Sequence, residues 1–130
     1  MLRYLLRSFN IYNPVSRRSH QQWDLQVVLL SFTRPPYVPL EAASFRDLTK
    51  KTLFLLSLAT VRRVGELQAV SRHVAWRGND VSLSYLPSFV AKTESPSNPL
   101  PRHFLVRSLV DFVGPDALEI LLCPVRALRM

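Results

Sequence analysis
A chain of 130 residues, 48% of them apolar, is one domain or part of one and has enough apolar material for a real core. Seventeen Lys and Arg against nine Asp and Glu leave a net charge of +8, which points to a polyanionic partner such as nucleic acid or an anionic membrane surface. One cysteine excludes an internal disulfide and three glycines exclude a phosphate-cradling glycine loop, while no apolar run approaches the roughly 20 residues of a bilayer span, so a soluble protein of a reducing compartment is expected.

The charge is uneven. Residues 1–65 carry ten Lys or Arg and three acids, a net +7, whereas residues 66–130 carry seven and six, a net +1. Residues 1–22, with Arg3, Arg7, Arg17 and Arg18 and no acid, read as a basic arm or linker, with the composition of either a DNA-contacting arm or a mitochondrial presequence. A short helix through Leu2, Leu5, Leu6 and Phe9 fits its first part and stops at Asn13-Pro14. The domain proper is expected over 23–130.

From Trp23 the apolar residues Val27 and Leu30, flanked by Leu25, Val28 and Leu29, keep helical spacing to about Thr33, where Arg34-Pro35-Pro36 stops them. Tyr37 to Ala43 reads as an extended connection. Ser44 is then an N-cap with Asp47 in the first turn, and Leu48, Thr52, Leu55, Leu56 and Ala59 form one stripe, with Arg46, Lys50 and Lys51 off it. That stripe runs on to Arg63.

Beyond Val70 the period shortens to two: Val74 and Trp76, then Val81, Leu83 and Tyr85 across Gly78-Asn79-Asp80, a hairpin pattern. Phe89 and Val90 suggest a third short strand ending at Lys92, before a proline-rich loop from Thr93 to Pro101. His103 to Val113 alternates at first and turns helical later, and Pro124 suits the first turn of a final helix with Val125, Leu128 and Met130. These elements imply an α/β domain, mainly helical with a small antiparallel sheet.

The residues with most chemical content are Arg63-Val64-Gly65-Glu66-Leu67, at the end of a long apolar segment. A guanidinium there needs an anionic partner, which Glu66 three residues on can supply. The other reading brings in Lys92: an arginine at a helix start and a lysine between strand and loop, converging on one point, suit a phosphate ligand. Metal binding has little support, because His20, His73 and His103 are widely separated and no Cys/His pair has ligand spacing. Cys123, in Leu121-Leu122-Cys123-Pro124, reads as a small buried hydrophobe rather than a nucleophile. No residue pattern implies a cofactor or a small-molecule substrate.

The run Leu55 to Leu67 resembles the first catalytic-arginine block of the tyrosine recombinases, in which a helix leads to Thr-Gly-Leu-Arg, an apolar residue, a small residue and Glu-Leu. Arg63 matches that arginine and Glu66 the glutamate, while Val61 stands for the usual glycine and Arg62 for the usual leucine. With Trp23-Asp24-Leu25, Leu48-Thr49-Lys50-Lys51-Thr52 and Cys123-Pro124-Val125-Arg126-Ala127-Leu128, the pattern is similar to recombinases of DIRS-type retroelements over about residues 14–130. The resemblance implies part of a catalytic domain in which a small antiparallel sheet carries a lysine, here Lys92. It also implies a mechanism in which a tyrosine attacks the scissile phosphate, two arginines hold that phosphate and the lysine protonates the leaving oxygen. The family's second arginine and its nucleophilic tyrosine lie beyond these blocks, and Tyr4, Tyr12, Tyr37 and Tyr85 match neither position. Implied partners are double-stranded DNA, contacted by Arg17, Arg18, Lys50, Lys51 and Arg62, and other recombinase protomers. The implied setting is DNA recombination and integration by a mobile element, in the nucleus if the source is eukaryotic, the mitochondrion being the alternative.

Overall fold
Asp24 and Ser44 show how local chemistry sets the two leading helices. In a computed structural model that describes residues 23–130, the Asp24 carboxylate accepts from the Gln26 N–H at 2.8 Å and starts α1, Leu25–Ser31. The Ser44 hydroxyl accepts from the Asp47 N–H at 3.1 Å and starts α2, Phe45–Thr60. Each cap satisfies a donor that the first helical turn leaves without a partner, a contribution of about 1 kcal/mol. Between the helices, the segment expected to be extended contains a single 3-10 turn, Leu40–Ala42, that buries Leu40.

Three antiparallel strands follow the short helix α3, Val64–Gln68: β1 Val70–Arg77, β2 Asp80–Tyr85 and β3 His103–Val106, in the order β1-β2-β3. The hairpin lies where the two-residue period places it, with Trp76 opposite Val81 and Val74 opposite Leu83. Gly78 turns the chain at φ 61°, a value that glycine adopts without steric cost. The chain is completed by α4, Val110–Val113, a 3-10 segment Leu118–Leu122, and α5, Pro124–Leu128, with Pro124 at its first turn. This is an α/β arrangement with a small antiparallel sheet, as the alternating periods imply.

The third strand is not the expected one. Phe89 and Val90 lie in an irregular loop, and the strand beside β2 is His103–Val106, pairing Leu83 with Phe104 and Val81 with Val106. Pro87 has no N–H for a ladder, and the Leu86 N–H is already spent on Ala69 O at 2.8 Å. Phe104 and Val106, two residues apart, place both side chains in the core instead.

One face of the sheet forms that core: Val81, Leu83, Tyr85, Phe104 and Val106 pack with Leu56 of α2 and with Ile120, Cys123 and Val125. Cys123 is buried as expected, its Sγ accepting from the Leu109 N–H at 3.4 Å. Leu118 is exposed and Leu121 and Leu122 are half-buried. No helix among the described residues is long and apolar enough to cross a membrane. The proposed arm, with Arg17 and Arg18, lies outside the described residues.

The stripe of α2 needs a larger correction. Leu55 and Leu56 are buried and Leu48 and Thr52 half-buried, but Ala59 faces solvent and Lys51, read as lying off the stripe and given a DNA contact by the resemblance, is 1% exposed. Its Nζ donates to Phe32 O at 2.9 Å, at the C-terminal end of α1. An ammonium is favoured there because the last carbonyls of a helix are unpaired and carry partial negative charge. No carboxylate neutralises it among the described residues. Burial, and secondarily the positive charge of Arg126, lowers its pKa below the usual 10.5.

The unfolded chain therefore holds the Lys51 proton more tightly than the folded one, and stability should rise with pH from the lowered folded pKa towards 10.5. Lys51→Met keeps the stem and removes the titration. Denaturant melts between pH 7 and 10 are expected to show a smaller gain with pH in Lys51→Met than in the parent chain; identical slopes would contradict an uncompensated buried ammonium.

Candidate functional site
α2 ends on Val61, whose backbone is left-handed, φ 53° and ψ 28°, with its N–H on Ser57 O at 2.9 Å. Glycine is the usual residue there, since a Cβ in this region costs about 1–2 kcal/mol. Val61 is 88% exposed, so packing does not offset that cost. The turn nevertheless forms and leads through Arg62 to Arg63, whose extended backbone caps the start of α3.

The two arginines part there. Arg62 turns inward: its Nη1 donates to the Tyr85 hydroxyl at 2.9 Å and its guanidinium lies 4.6 Å from the Phe104 ring centre. The residue expected to contact DNA thus has a partner within the protein. A guanidinium over aromatic faces gains about 0.5–2 kcal/mol and gives the buried phenol its partner. Burial raises the Tyr85 pKa above the usual 10.0; Arg62 draws it back and Glu66 adds to the rise. Tyr85 is the last residue of β2, and its ring packs on Phe89 and Phe104.

Arg63 is exposed and occupies the N-cap of α3. Glu66 does not pair with its guanidinium. Instead Glu66 Oε2 accepts from the Arg63 main-chain N–H at 3.2 Å, the acidic half of a capping box. The carboxylate thus fixes the backbone at Arg63, and among the described residues neither ion pair uses the guanidinium.

Lys92 is exposed in the loop between β2 and β3, not in a strand. Glu94 holds this part of the loop: it accepts from the Ala91 N–H at 3.1 Å and lies 3.6 Å from Arg102, which also donates to Phe89 O at 2.6 Å. Ala91 is thereby drawn into the interior while Lys92 and Thr93 form the outward turn. Arg63 and Lys92 are both exposed, and among the described residues neither enters an ion pair. Lys50 and Arg46 are exposed on α2.

The chain matches none of the protein-family models, curated proteins or solved structures with which it was compared.

Two other surfaces escaped the sequence reading. An apolar groove of about 360 Å³ lies between α2, β1 and α5, lined in part by Phe45, Leu53, Val74 and Met130; neither Arg63 nor Lys92 borders it. The outward face of the sheet gathers His73, Arg77, Ser82, Ser84 and His103 around a hollow of about 310 Å³. The signal was present in the two-residue period: His73, Ala75 and Arg77 alternate with Val74 and Trp76. Among the described residues no three His, Cys, Asp or Glu are arranged to hold a metal.

Three substitutions test this local architecture. Val61→Gly is expected to stabilise by about 1 kcal/mol, because the left-handed turn loses its Cβ strain; a lower melting temperature would count against that turn. Arg62→Ala and Tyr85→Phe should each destabilise by about 1–3 kcal/mol, with the double variant less damaging than their sum. Additive effects in chemical denaturation would show that the two side chains do not act together.

Proposed function
We propose that this chain is a DNA-binding part of a tyrosine-recombinase catalytic domain, with Arg63 and Lys92 directed at backbone phosphate and Glu66 holding Arg63 in place. The observation that carries the reading is the division of labour at the start of α3. Glu66 spends its carboxylate on the Arg63 main chain, so an exposed guanidinium is left at a fixed backbone position in the block that resembles the family's first catalytic arginine. Exposed Lys92 and the net charge of +8 are consistent with a polyanion.

On this reading the 130 residues bind duplex DNA and do not cut it. Of the tyrosines described, Tyr85 is buried with its hydroxyl committed to Arg62, and Tyr37 is half-buried against Phe32 at 4.8 Å, so neither is poised as a nucleophile. Strand exchange then needs further recombinase residues, from the same polypeptide or another protomer, and the setting is integration of a mobile element in a eukaryotic nucleus.

Arg63→Ala is expected to weaken binding to unrelated duplexes by a similar factor and to lower the salt dependence by about one phosphate contact. Unchanged affinity in a folded variant would remove Arg63 from the interface, and a covalent protein–DNA product from this chain would refute its inactivity. A version lacking residues 1–22 separates this reading from a basic nucleic-acid-binding arm: binding should persist, and its loss would assign the interaction to the arm.

A further inference from the structure
We propose that the outward face of the sheet is a second phosphate-binding site, built by His73 and Arg77 on β1, Ser84 on β2 and His103 on β3. The strand register sets this grouping. Ser84 pairs with His103 on β3, and His73, on β1 at the other side of the central strand, lines the same hollow as both. Arg77 and Ser82 border the same hollow of about 310 Å³.

The polar capacity of this face is unspent. Among the described residues, the side chains of His73, Ser82, Ser84 and His103 make no hydrogen bond with the protein, and no buried side-chain polar atom is left without a partner, so these groups open to solvent. Its charge is of one sign. The titratable or charged groups lining the hollow are His73, His103 and Arg77, with no carboxylate. Asp80, opposite Arg77 in the register, is committed elsewhere: Oδ1 accepts from the Ser108 N–H at 2.8 Å and Oδ2 pairs with Arg107 at 3.0 Å.

A guanidinium, two hydroxyl donors and two imidazoles that become cationic donors on protonation are the groups that hold a phosphate oxyanion, and an acid-free wall does not repel it. This site is independent of Arg63 and Lys92, neither of which borders it.

The test is to follow the histidine ring resonances of the full chain, assigned with single His→Gln variants, while titrating inorganic phosphate and, separately, a short DNA duplex. Saturable shifts of His73 and His103 with phosphate are expected, with affinity reduced at least tenfold in the His73→Gln/His103→Gln double variant. Arg77→Gln, which alters only an exposed position, should weaken binding as well. Duplex shifting the same resonances would identify the phosphodiester backbone as the source; shifts with inorganic phosphate alone would identify a small phosphate ligand. Absence of shifts at either histidine, or undiminished phosphate affinity in the double variant, would overturn the proposal. Arg63→Ala separates the two sites: it should leave the phosphate shifts intact, whatever it does to duplex binding.

Discussion
The strict alternation of β2 is the constraint on which the described architecture turns. Val81, Leu83 and Tyr85 are buried on one face of the central strand, and each draws in a different part of the chain. Val81 and Leu83 set the registers of both neighbouring strands, through Trp76 and Val106 and through Val74 and Phe104. Tyr85 carries the restraint beyond the sheet, because its hydroxyl fixes Arg62 and hence the backbone leading to Arg63. A slip of one residue would turn Ser82 and Ser84 into the core and strip Arg62 of its partner, so register and candidate phosphate surface are specified together.

Charge is used in three distinct ways along a short stretch of chain. Lys51 closes the end of a helix from inside the protein, Arg62 lies over aromatic rings, and Arg63 meets solvent. Neither of the first two has an acid as partner; a carbonyl and a phenol stand in its place. The summed charge of the sequence therefore overstates the charge available to a polyanion, since part of it is structural.

Much of the fold was legible in the sequence because its signals are local. The Ser44 cap, the hairpin at Gly78-Asn79, the buried Cys123 and the start of α5 at Pro124 each follow from a few neighbouring residues. The failures required information from a distance. Lys51 has the composition of a surface residue, and only the position of Phe32 O, 19 residues away, explains its burial. The third strand was misplaced because Phe89-Val90 and His103–Val106 both have strand character, and the competition was decided by Pro87 and by the Leu86 bond to Ala69. At the candidate site, Arg63 and Glu66 were recognisable from spacing, but the carboxylate's choice of main chain over guanidinium was not. The two histidines of the outer face, 30 positions apart, came together only through the ladder.

The lone thiol gives this protein a built-in clock. Cys123 sits at the junction of sheet and terminal helix, 1% exposed, with its sulfur already accepting from Leu109. A thiol reagent can reach it only when that junction parts, so the rate of alkylation under native conditions measures how often the core opens. Because Val125 belongs with Val81 and Val106 to the same buried cluster, that single rate reports on the packing of α5 with the strands, with no probe added to the chain.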